Sequence, residues 1–79
     1  MDRIVYKGYQ IEAVPFQLAE SGEWTVNIHI LRDKGYEINV RSYSAGNRFK
    51  SEDEAIRHCL DFGKRIIDGQ IENLSVDDL

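Results

Sequence analysis

His29 and Glu12 are the residues best suited to move a proton near neutral pH, because an imidazole beside a carboxylate is the common acid–base pairing. His58 and Cys59 have the composition of a base and a nucleophile. Adjacent helix positions diverge by about 100°, however, so these two do not face each other. Cys59 falls on an apolar stripe, where a thiol behaves as a small hydrophobe, and His58 is expected to pair with Glu54 one turn earlier. A third group is basic and aromatic: Arg41, Arg48 and Lys50, with Tyr43 and Asn47 among them, could contact RNA or an acidic protein surface. The simpler reading of that stretch is a solvated loop rich in turn formers. One cysteine and two distant histidines give no zinc spacing, and there is no Asp-rich calcium loop or glycine-rich phosphate cradle. No metal, cofactor or catalytic residue is expected.

These residues need elements to hold them. Trp24 to Ile30 alternates apolar and polar residues with a period of two, the pattern of a half-buried strand. Tyr36, Ile38 and Val40 alternate likewise, and Asp33-Lys34-Gly35 between the runs suits a three-residue hairpin loop with the glycine in the left-handed region. Setting Arg32 against Tyr36 brings Ile30 to Ile38 and Ile28 to Val40, so the inward residues of the two runs agree. The same register sets His29 beside Asn39 and near Glu12 on the opposite, open face, together with Arg41 and Tyr43. The opening segment, Ile4 to Leu18, reads as one further strand that Lys7-Gly8 bends or bulges, with Pro15 confining it to an edge or a bulge.

After Phe49 the period changes. Ser51-Glu52-Asp53-Glu54 is a capping box, and Ala55, Ile56, Cys59, Leu60, Gly63, Ile66 and Ile67 form one apolar helical stripe. Gly63 on that stripe lets the helix approach the sheet closely, and Gly69 ends it. The expected fold is α+β: a three-stranded antiparallel sheet with one long C-terminal helix on one face. Residues 1–79 form a single domain, with an ordered core over about 3–69 and a tail over 70–79.

At 79 residues the chain holds one domain with a thin core. Its net charge of −4 argues against gripping phosphate backbones through bulk charge. Asp68, Glu72, Asp77 and Asp78 read as solvating charges near the C-terminus. No apolar run approaches the ~20 residues of a membrane span, the first residues lack a signal-peptide pattern, and the lone Cys59 suits a reducing compartment. The expected location is the cytoplasm.

Three stretches carry a resemblance: Tyr6-Lys7-Gly8-Tyr9-Gln10-Ile11, Gly22 to Ile28, and Phe49 through Glu54-Ala55 to Gly69. Over roughly residues 4–69 the chain resembles a group of short, uncharacterised bacterial proteins. The resemblance implies three strands and a helix related to the double-stranded-RNA-binding-like shape, and supplies no functional residues. A looser similarity runs to HicB-like antitoxins, in which three strands precede a helix starting with Glu-Ala, here Glu54-Ala55. The expected function is that of a non-enzymatic protein-binding or regulatory module, meeting a protein partner or a second copy through the open sheet face. The expected contacts are Asn39, Arg41 and Tyr43. The alternatives are RNA binding through Arg41, Arg48 and Lys50, and a small enzyme using His29.

Overall fold

The computed structural model describes residues 2–79. The chain forms β1 (Arg3–Tyr6), β2 (Tyr9–Ala13), β3 (Trp24–Asp33), β4 (Ile38–Phe49) and α1 (Glu52–Ile67). The strands make one antiparallel sheet in the order β1-β2-β3-β4. The α+β class stands, but the sheet has four strands where the sequence pattern suggested three. The difference lies at Lys7-Gly8. Both residues have positive φ (50° and 85°), and Tyr6 pairs with Tyr9. Two such residues in a row make the tight turn that matches strand twist, so the opening segment folds back into a hairpin instead of bulging. Lysine seldom fills the first of these positions, which normally takes Asn, Asp or Gly. Pro15 lies just past the end of β2, where no ladder bond is required of it.

The β3–β4 hairpin exists, but its register differs from the expected one. Asp33 pairs with Ile38 across a loop of Lys34 to Glu37, and Ile28 stands opposite Tyr43, three positions beyond Val40. Asp33 Oδ1 accepts from the Gly35 amide at 2.8 Å and Lys34 N–H donates to Glu37 O at 2.9 Å, which close the longer loop. An odd shift turns every β4 side chain to the other face. Arg41, Tyr43 and Ala45 thus share a face with Ile30, Ile28 and Val26, whereas Ile38 and Val40 point away from the core. A register irregularity at Thr25/Val26 leaves Gly46 and Asn47 without cross-strand partners near the far end of β4.

Helix α1 covers the face carrying Ile11, Ala13, Val26, Ile28 and Ile30, all buried. Ser51 caps it, accepting from Glu54 N–H at 3.2 Å and donating to Glu54 Oε1 at 3.1 Å. Gly69 (φ 72°) ends it: Gly69 N–H reaches Ile66 O and Gln70 N–H reaches Arg65 O, the paired bonds of a Schellman cap. Gly63 permits the close approach, since a Cβ there would lie 2.5 Å from Ile11 Cγ2. The C-terminal segment packs on this same side. Val76 and Leu79 are buried in the core cluster, Tyr43 Oη donates to Ser75 O at 2.6 Å, and Arg41 pairs with Asp78. At the other end of the sheet Asp68 accepts from Tyr6 Oη at 2.7 Å and from Lys7 Nζ at 2.5 Å, so two of the acidic residues near the C-terminus are clasps.

Candidate functional site

With helix and C-terminal segment on one side, the other side of the sheet is uncovered among the described residues. Its side chains form rows that follow from the register. Val5, Gln10, Leu31 and Val40 make one row, and Arg3, Glu12, His29 and Ser42 make the next. In the second row Arg3 Nη2 meets Glu12 Oε2 at 2.5 Å and Arg3 Nη1 donates to Gln10 Oε1 at 3.1 Å. His29 Nδ1 lies 3.2 Å from Glu12 Oε1. The Arg3 guanidinium holds the Glu12 carboxyl below its ordinary range; partial burial opposes this and the His29 contact assists it.

Beyond this row lies a shallow groove of about 400 Å³ lined by Val14, Phe16, Asn27, His29, Ser42 and Ser44. Ser42, His29 and Glu12 thus follow one another in the order of nucleophile, base and orienting acid. Nucleophilic catalysis needs the first two within hydrogen-bond reach, and among the described residues no hydrogen bond joins Ser42 to His29. Glu12 also gives its second oxygen to Arg3. What the row can do is exchange a proton or present a charge-paired polar stripe. No group of three His, Cys, Asp or Glu able to hold a metal occurs among the described residues.

The surface around the stripe is apolar. Val5 is 74 % exposed, Ile38 62 % and Val40 54 %, and all three stand on this side; Phe16, 54 % exposed, walls the groove. Next to them runs the free edge of β4. Val14 N–H donates to Asn27 O at 2.9 Å, so odd-numbered residues of β3 turn their main-chain groups to β2 and even-numbered ones to β4. Arg41 and Tyr43, opposite Ile30 and Ile28, are therefore bonded into the sheet. Val40, Ser42 and Ser44, between and beyond them, aim N–H and C=O outward from the edge. No backbone hydrogen bond reaches them from outside among the described residues.

Of the residues singled out from the sequence, His29 and Glu12 lie on the open side as expected, and they face each other directly. Asn39 sits opposite Arg32 on the helix-side half of the strand. Arg41 and Tyr43 belong to the covered side, the tyrosine buried and its phenol pushed up by that burial. Arg48 donates to Gly46 O at 3.1 Å, and Lys50 is exposed in the link to α1, so Arg41, Arg48 and Lys50 do not converge on one patch. Cys59 is buried, donates to Asn27 O at 3.4 Å, and has its thiol pushed up by burial. His58 stacks on Phe49 at 4.1 Å rather than pairing with Glu54. Of the open-side residues, Ile38 and Val40 were expected to face the core, and Val5, Phe16 and Ser42 were not singled out from the sequence. For the β4 residues the signal that could have placed them is the Asp33 side chain, which favours a longer loop and with it the other parity.

Fold and surface together define a small α+β domain with one buried and one open sheet face. The chain belongs to the family described as Domain of unknown function (DUF6566), which it matches over residues 1–78. No curated protein and no solved structure matches it. No helix among the described residues is long and apolar enough to cross a membrane.

Proposed function

We propose that this domain is a non-enzymatic protein-binding module of the bacterial cytoplasm that accepts an extended segment along the free edge of β4. Side chains of that segment would lie over the open sheet face. The observation that supports this reading is the coincidence of an unpaired edge with the exposed apolar side chains Ile38 and Val40 on one strand. In strand addition the edge supplies main-chain hydrogen bonds, and alternate side chains supply specificity. His29, between Glu12 and the groove, would offer the segment a polar contact.

RNA binding through Arg41, Arg48 and Lys50 finds less support. Arg41 is already paired with Asp78, Arg48 is turned to its own loop, and the net charge is −4. The test is capture from nuclease-treated bacterial lysate by the wild type, by Ser42→Pro and by Val40→Glu. Proline at 42 removes an outward N–H without touching the β3 ladder, a placement edge strands tolerate. Proteins held by the wild type and lost by both variants, each shown folded by its thermal melt, are expected. Equal capture by all three would overturn the reading.

A further inference from the structure

We propose that the strand which pairs with β4 is β4 of a second copy, joined antiparallel about a two-fold axis at Val40. This deepens the reading above and rests on it.

The argument begins with what the edge lacks. Protected edges usually carry lysine, proline or an inward charge. Between Ile38 and Ser44 the only charged side chain is Arg41, and its own chain neutralises it through Asp78. The edge thus offers neither an unpaired cation to an acidic segment nor a carboxylate to a basic one. A neutral edge fits a neutral strand of its own kind. An antiparallel pair about a two-fold is also self-complementary, because each copy presents the same groups in the same order.

Geometry then selects the register. Even-numbered residues of this stretch aim their main-chain groups outward, so an axis on an even residue gives a hydrogen-bonded pair at the centre. An axis at Arg41 would set two guanidinium groups face to face, an unfavourable cross-strand pairing. An axis at Ser42 would put Val40 against Ser44 and draw the irregular stretch at Gly46 against Ile38. The axis at Val40 sets valine against valine, Asn39 against Arg41 and Ile38 against Ser42. It leaves the irregular end of β4 outside the pairing. It also joins the Val5–Gln10–Leu31–Val40 row of one copy to the same row of the other, so the row runs on across an eight-stranded sheet with the two Val40 side chains in contact at its centre.

The experiment is sedimentation velocity across a dilution series from micromolar to millimolar, with register read by cross-linking. Cys59 is the only cysteine and is buried, so it is replaced by alanine and one new cysteine is introduced at a time. Facing residues of a hydrogen-bonded pair stand about 5.5 Å apart at Cα, within the usual range for a disulfide. The expected result is a concentration-dependent dimer that Val40→Cys locks on oxidation and Ser42→Cys does not. Val40→Glu, which sets two carboxylates opposite each other, should raise the dissociation constant by about tenfold or more. A dimer locked by Ser42→Cys instead would overturn the axis. A dimer untouched by Val40→Glu and Ser42→Pro would overturn the edge as the interface. A wild type that stays monomeric at millimolar concentration overturns the second copy as occupant; lysate proteins captured through β4 in that case would leave the binding reading standing, and no capture would remove both.

Discussion

On the side facing α1, Ile11, Val26, Ile28 and Ile30 are sealed from solvent, and Gly63 sits so close to Ile11 that a Cβ on it would lie 2.5 Å from Ile11 Cγ2. One residue further along each strand, the open side carries Val5, Glu12, His29, Leu31 and Val40, held by a few polar contacts. The same strands supply both. The covered side is specified by volume, so it resists change; the open side is specified by charge pairing and by an unfilled edge, so it is free to be used. A small domain has too little interior to do otherwise, because its core takes most of the apolar residues it can enclose.

The contrast can be broken most directly at Gly63. Gly63→Ala should cost about 1–3 kcal/mol in a urea titration, as overpacking of a filled core does, because the new methyl meets Ile11 Cγ2, Cδ1 and Cγ1. In an Ile11→Ala background those three atoms are gone, and the same change should cost little. A penalty that persists there would mean the strain lies elsewhere than in this contact. Tyr43→Phe removes the bond to Ser75 O and should cost about 1 kcal/mol, with faster amide exchange over residues 74–79. Unchanged exchange would show that Val76 and Leu79 hold the segment unaided.

Acid sharpens the other half of the comparison. Arg3 depresses the Glu12 carboxyl in the folded chain, so the fold favours the ionised form. That contribution is complete above the ordinary carboxyl range and fades as pH falls through it and below. The difference in urea midpoint between wild type and Glu12→Gln should therefore narrow between pH 6 and pH 3; a gap that holds constant would detach the carboxylate from stability. The smallest effect is expected at Val5, where Val5→Thr on the open face should stay within about 0.5 kcal/mol.

How much of this was legible depends on the range of the contact. The helix, its Ser51 cap, its Gly69 stop and the role of Gly63 follow from residues close in sequence, and all are present. The Asp61–Arg65 pair one helical turn apart was equally readable. The β3–β4 register was not, because β4 carries two alternating sets. Tyr36, Ile38 and Val40 are the more apolar, so they look like the core, yet Arg41, Tyr43 and Ala45 occupy the core side. What tips the balance is distant: Ser75 accepts the buried phenol, Asp78 neutralises Arg41, and Val76 and Leu79 complete the packing. The first hairpin was hidden for a local reason, a lysine where turn chemistry favours asparagine. The site residues that were legible, His29 and Glu12, are those whose placement on β3 and β2 did not depend on β4.

The Lys7-Gly8 turn has one more effect. It makes the two rims of the sheet unequal, a strand of four residues on one side and of twelve on the other. The short rim carries the Arg3 guanidinium and ends at the Lys7–Asp68 clasp, so it offers a poor template for a further strand. Growth by edge pairing therefore has one productive rim per molecule. Two such rims that meet satisfy each other and close, and the association ends at a finite count where a sheet with two equal rims would run on into a ribbon.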